Sequence, residues 1–179
     1  MKRIDAVISV RPVEPDEWRR YRDVRLRALL DAPNVFGSTY EAEAGRTDEM
    51  WAARIAAAAA SGRDRVLFAR DGEKVCGLTW CNSSDGEQMV VNLFQMWVDP
   101  TSRGIGMARA LLRAAIDWAE YVGARRVCLD VAAAEAPAMR LYIACGFRAA
   151  GEMRPLRENS ALMVQPMSLT VESAHTTLR

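Results

Sequence analysis

Arg103-Gly104-Ile105-Gly106-Met107-Ala108 follows the apolar run Met96-Trp97-Val98 and the turn residues Asp99-Pro100, and it opens an amphipathic pattern that continues to Val122. The order is strand, sharp turn, helix start. Glycines at such a junction remove the Cβ atoms that hold a ligand away from the backbone. The first N–H groups of a helix lack intrahelical partners and point at whatever occupies the turn. A phosphate or pyrophosphate is the natural guest. A P-loop requires Lys followed by Ser or Thr after its last glycine, whereas Gly106 is followed by Met107 and Ala108, so no Walker motif is present. A dinucleotide fingerprint requires a third glycine where Arg109 stands, and a place after the first strand. Asp130, at the end of the next strand, imitates the ribose-binding acid of that fingerprint and keeps the reading open.

Working outward, Ile105, Ala108, Leu112, Ala115, Ile116, Ala119 and Val122 recur at three- and four-residue intervals, while Arg113, Asp117 and Glu120 fall on other faces. This predicts a helix packed on a sheet, closed by Gly123. The strand Val127–Val131 then returns beside its predecessor, which makes a right-handed parallel crossover. Ligands of such units bind beyond the carboxyl ends of the strands, where the glycine loop lies.

Three stretches together carry a resemblance. Arg103-x-x-Gly106-x-Ala108 fits the pyrophosphate loop Gln/Arg-x-x-Gly-x-Gly/Ala of the acetyl-CoA-dependent N-acetyltransferases, the GNAT superfamily. Met96-Trp97-Val98-Asp99-Pro100 resembles the family's strand ending in Val-x-Pro, and Ala138-x-x-Leu141-Tyr142-x-x-x-Gly146-Phe147 resembles its other hallmark. From Val90 to Met153 the chain is similar to bacterial small-molecule members. One departure is Glu135, which stands where the family usually has the asparagine that helps hold the pantetheine arm, so that contact is not carried over.

The resemblance implies an α/β acyl-CoA N-acyltransferase fold. Its mixed, twisted sheet of six to seven strands is flanked by about four helices, and a splayed pair of strands admits acetyl-CoA. It implies that the N–H groups of Gly104, Ile105, Gly106, Met107 and Ala108 hold the pyrophosphate, with Arg103 adding charge. The pantetheine arm lies along Met96, Trp97 and Val98, an open strand edge offering amide-like ligands a ready ladder and the acetyl oxygen its N–H donors. Tyr142 takes the part of the general acid that protonates the CoA sulfur.

An alkyl amine with pKa near 10 is only about one part in a thousand neutral at pH 7, so its proton needs a base or a water relay. Asp130, Glu135 and Glu41 are candidates, and Asn92 and Gln95 can orient a water without taking a proton. The loop Ala32–Tyr40, with Glu41 directly after it, supplies the acceptor candidates Phe36, Ser38, Thr39, Tyr40 and Glu41, although Phe36 plugging the core and Ser38 capping a turn is an equal alternative. The expected reaction is direct transfer, in a ternary complex, to the primary amine of a small molecule such as a polyamine, an amino acid derivative or an antibiotic. Protein N-acetylation and a non-catalytic CoA-binding sensor are the alternatives.

Composition bounds the rest. The chain has 179 residues, half of them hydrophobic, and a formal net charge of +1. That predicts a single domain over residues 1–170, with no global field favouring nucleic acid or an acidic membrane. Four cysteines without CxxC spacing and one histidine, His175, indicate neither a disulfide framework nor a metal site. A reduced, cytoplasmic setting follows, with no signal peptide and no apolar run long enough for a membrane. A homodimer is left open.

Elsewhere the pattern predicts a strand over Ala6–Val13, helices over Pro15–Leu30 and Asp48–Ala60, and strands over Arg65–Arg70, Lys74–Asn82 and Gln88–Val98. A closing strand over Ala161–Leu169 is weakened by Pro166, and residues 171–179 read as a tail. The arginines of the first helix are read as a solvated face, with an acidic substrate as the alternative.

Overall fold

In the computed structural model, which describes residues 7–86 and 89–171, the chain opens with β1 (Ile8–Pro12) and a 3-10 turn at Pro15–Glu17. Helix α1 (Trp18–Asp31) follows, then α2 (Tyr40–Ala44) and α3 (Asp48–Ser61). The last two begin at threonines: the Thr39 hydroxyl accepts from the Ala42 N–H and the Thr47 hydroxyl from the Met50 N–H, both at 3.3 Å. Each thereby satisfies an N–H that the helix itself leaves free. Gly62, at φ 66°, ends α3 in the left-handed conformation that glycine adopts without strain. Strands β2 (Asp64–Asp71) and β3 (Lys74–Ser83) form a hairpin, and β4 (Val90–Val98) leads through a second 3-10 turn at Pro100–Ser102 into α4 (Met107–Tyr121). The chain continues through β5 (Arg126–Ala132), α5 (Ala136–Ala144), β6 (Arg148–Ala149), β7 (Arg154–Pro155) and β8 (Met163–Thr170).

Among the described residues, all eight strands join one mixed sheet in the order β1-β2-β3-β4-β5-β8-β6, with β7 also on β8. That is one strand more than the expected upper bound, because β6 and β7 are two-residue pieces too short to show a period. The fifth helix is the five-residue α2, which begins at Tyr40, the last residue of the expected loop, and occupies a stretch for which no element was expected. The crossover is as expected: β4 and β5, joined by α4, are parallel, and the other pairings are antiparallel.

Pro166 does not break β8. Its carbonyl accepts from the Ala150 N–H at 2.9 Å, so the side of the strand where its N–H is missing faces β6 and β7. There the neighbouring chain is itself interrupted between Ala149 and Arg154, and the ladder to β5 runs uninterrupted from Arg126↔Thr170 to Ala132↔Val164.

The sheet carries a core on each face. One is built on α4, with Leu111, Leu112, Ala115 and Ala119 buried among Val91, Leu93, Val98 and Val127. The other packs Tyr21, Leu29, Trp51 and Ile55 of α1 and α3 on Phe68, Leu78 and Trp97. A bulge in β4 allows one strand to feed both cores. Trp80 pairs with Phe94 and Leu78 with Trp97, so Gln95 and Met96 together oppose Thr79, and Gln95 takes φ 58°. The extra residue reverses the alternation. Leu93 and Val98 thus face the α4 core while Trp97 faces α1.

Val171, read with the tail, is buried and donates its N–H to Arg125 O at 3.0 Å. His175 and the rest of the tail lie outside the described residues. No helix among the described residues is long and apolar enough to cross a membrane.

Candidate active site

At the head of α4 the backbone is shaped for a ligand. Gly104 and Gly106 take φ 77° and 96°, and a Cβ built on Gly104 would meet nothing within 4 Å. Gly106 is the N-cap residue and has no side chain to offer, so the first N–H groups of α4 stay open to an anion. Ser102, fully buried beside the loop, has a hydroxyl without a hydrogen-bond partner. Glycine φ angles, free helix N–H groups and an orphaned hydroxyl together fit a pyrophosphate. Ile105 packs against the α4 core and anchors the loop. Arg103 is held in place: its Nε donates to Val98 O at 3.0 Å and its Nη2 to Asp31 at 2.6 Å.

β4 and β5 pair only through Val90↔Arg126, Val91↔Val127 and Asn92↔Cys128. Beyond these the strands separate, although β4 runs on to Val98 and β5 to Ala132. The Asp99 N–H donates across to Cys76 O on β3 at 2.7 Å, so alternation turns the peptide groups of Val98 and Met96 toward the open side. A cavity of about 1500 Å³ occupies this gap and passes through the sheet. Met107, Leu141 and Tyr142 line it on the α4 face, and Arg25, Phe36, Arg54 and Trp80 line it on the α1 face.

Tyr142 is buried in the cavity wall with its ring 5.8 Å from that of Phe147. Burial pushes its phenol up to about 12, so the hydroxyl keeps its proton at neutral pH. The candidate bases differ in freedom. Asp130 lines the cavity but is ion-paired with Arg154, and Glu135 stands exposed at the rim as the residue preceding α5.

Of the acceptor candidates, Phe36 and Ser38 line the cavity. Thr39, Tyr40 and Glu41 do not: Thr39 caps α2, Tyr40 packs against the α1 and α3 core, and Glu41 is exposed on α2. Their segment turns into a helix one residue after Thr39, which carries them off the cavity wall.

The arginines of α1 are not one solvated face. Arg25 is 2% exposed and donates from Nη2 to Glu43 of α2 at 2.8 Å; Arg54 of α3 approaches the same carboxylate at 3.5 Å. Burial alone would raise the Glu43 carboxyl, but the Arg25 hydrogen bond, helped by Arg54 and the Ser38 hydroxyl, holds it below the usual carboxylate range. The signal for Arg25 was its place four residues after Tyr21 and three before Ala28, on the buried face of α1. Arg54, Trp80 and Arg154 also line the cavity without having been singled out from the sequence.

The chain matches the acetyltransferase (GNAT) family over residues 24–147. It belongs to that family. Among curated proteins, this GNAT chain is 30% identical over 138 residues to human N-acetyltransferase 8B, covering 75% of this chain and 52% of the human protein. It therefore spans about half the length of that relative. Among solved structures, a GNAT acetyltransferase from Streptococcus pneumoniae superposes with a TM-score of 0.79 at 21% identity, covering 92% of this chain and 99% of the other. Spermidine N-acetyltransferase from Vibrio cholerae, solved with CoA and spermine, gives a TM-score of 0.76 at 16% identity, covering 93% and 96%. At such identities the structural likeness speaks for the shared GNAT fold alone.

Proposed function

We propose that the protein moves the acetyl group of acetyl-CoA to the primary amine of a small molecule, by direct attack with both reactants bound. The observation that carries this reading is the single cavity that joins the glycine loop to Tyr142 on one sheet face and to an aromatic, charged wall on the other.

The residues divide the work as follows. The N–H groups of Gly104 to Ala108 hold the pyrophosphate. The open edge of β4 at Met96 and Val98 aligns the pantetheine amides and offers N–H donors where the acetyl oxygen gains charge. Trp97, between them, turns its own peptide groups toward Leu78 of β3 and its indole to Asp31, so its part is to hold this edge in place. Bound acetyl-CoA supplies the acetyl group and departs as the thiol. Tyr142, kept neutral by burial, donates the proton that the sulfur needs. The amine proton leaves through water oriented by Asn92 and Gln95 toward Glu135, which among the described residues has no ion-pair partner, whereas Asp130 is committed to Arg154.

The test is thermal stability with acetyl-CoA, CoA and NAD added separately, followed by CoA release with a panel of amines. Stabilisation by the two CoA species and amine-dependent release support the reading. Stabilisation by NAD, or by none of the three, overturns it, and CoA binding without turnover of any amine makes the protein a sensor.

A further inference from the structure

We propose that the acceptor carries a carboxylate close to its amine, and that Arg25 and Arg54 form the subsite that binds it; this rests on the acetyl-transfer reading above. On the α1 face of the cavity two guanidiniums share one carboxylate. Arg25 donates Nη2 to Glu43 Oε1 and shares Nε between the two Glu43 oxygens, and Arg54 reaches Oε2. The count leaves this wall one positive charge in excess. Arg25 Nη1 has no hydrogen-bond partner, in a residue that is 2% exposed and belongs to the cavity wall. A buried donor on a charged group is seldom left unmade, because its desolvation is then uncompensated. A carboxylate brought into the cavity supplies both the missing acceptor and the missing charge, and guanidinium is the side-chain group best matched to its planar geometry.

The surroundings fix the cations and describe the rest of the ligand. The Arg25 guanidinium lies 4.8 Å from the Phe36 ring and that of Arg54 lies 5.1 Å from the Trp80 ring. Trp80 is itself held by Asp64 at 2.8 Å. Phe36, Trp80 and Phe94 line the same cavity, and Phe94 is 51% exposed, so an apolar body is accommodated beside the charged wall. Arg25 lies four residues from Tyr21, about 6 Å along the axis of α1. The Tyr21 hydroxyl donates to Gln95 at the bulge of β4 at 2.8 Å. The cation thus stands close to the strand edge where transfer occurs, which calls for a short spacer between carboxylate and amine. An apolar amino acid has this chemistry. A polyamine has the opposite charge for this wall.

The experiment is CoA release by the full chain with matched amines: phenylalanine, methionine and leucine, each against its amide and its decarboxylated amine, with spermidine alongside. Expected is a kcat/KM about tenfold or more higher for the carboxylate-bearing member, expressed mainly in KM, with the ratio falling toward one in Arg54→Gln and partly retained in Arg54→Lys. Arg54 is partly exposed, so its replacement does not strand a buried charge as that of Arg25 would. Equal or faster turnover of the carboxyl-free amines or of spermidine overturns the proposal and leaves the transfer reading standing. Release with no amine at all overturns both.

Discussion

The Asp31 carboxylate lies 2.6 Å from the Arg103 guanidinium, tying the last residue of α1 to the first residue of the glycine loop. The same Asp31 oxygen accepts the indole N–H of the buried Trp97 at 2.9 Å. One carboxylate therefore serves two neighbours of unequal burial, and the two can be separated by mutation. Asp31→Ala leaves a buried indole N–H without an acceptor and is expected to cost about 1–3 kcal/mol of stability. Arg103→Ala breaks a half-exposed ion pair, expected to cost less than about 1 kcal/mol, and on the proposed role of Arg103 it should raise the KM for acetyl-CoA several-fold. Urea unfolding and a saturation curve for each variant check both halves. A large loss of stability in Arg103→Ala would show the pair to be structural.

Tyr142→Phe keeps the ring against Phe147 and removes only the hydroxyl. Stability is expected to change little, while kcat falls about a hundredfold or more if the phenol is the proton donor. The pH profile carries a second expectation. Because burial holds the phenol at about 12, the rate should rise with pH as the acceptor amine loses its proton, without an alkaline fall from loss of the acid below about pH 10. A descending limb between pH 8 and 9, with neutral-pH turnover unchanged in Tyr142→Phe, would assign the acid elsewhere.

Alkaline stability follows from buried neutral groups. Burial raises the Cys81 thiol from 9.0 to about 12 and also raises the Tyr21 phenol. A folded-state pKa above the unfolded one contributes stability that is complete below the unfolded value and is lost as pH climbs toward the folded value. The melting temperature should therefore decline from about pH 9 upward. Cys81→Ala should decline less steeply between pH 9 and 10, before the tyrosines contribute. Equal slopes for the two proteins in a pH series of thermal melts would remove Cys81 from the explanation.

Two glycines predict different failures. A Cβ on Gly77 would stand 2.7 Å from Trp97 O and 3.1 Å from Leu111 Cδ1, where β3 lies against β4 and α4. Gly77→Ala should lose about 1–3 kcal/mol or more, since backbone and core must both move. Gly104→Ala meets no atom and carries only the left-handed backbone cost of about 1–2 kcal/mol. Its main effect should be weaker binding of acetyl-CoA. Denaturation midpoints and the dissociation constant for CoA distinguish the two.

How far the fold was legible in the sequence depended on whether an element repeats its pattern long enough to be seen. The α4 stripe and the parallel return of β5 were legible because one face of a four-turn helix is buried against a sheet. The β4 bulge was not, because Gln95 carries its positive φ without the glycine that marks such a position. Helix α2, at five residues, and strands β6 and β7, at two each, are too short for a period to repeat. In the site, the glycine loop and Tyr142 stood out because backbone geometry and a compact motif restrict residue choice there. Arg25 was hidden because a charged residue in a helix reads as solvated unless its partner is known, and Glu43 is eighteen positions away on another helix.

Three rungs, Val90↔Arg126, Val91↔Val127 and Asn92↔Cys128, are all the pairing between β4 and β5. The sheet is thus two leaves bound along a short spine, with β1 to β4 on one and β5 to β8 on the other. A ligand laid along the free margin of β4 would complete a page that the chain leaves unwritten, so its binding should be felt as stiffness across the whole sheet and not only at the loop that grips it.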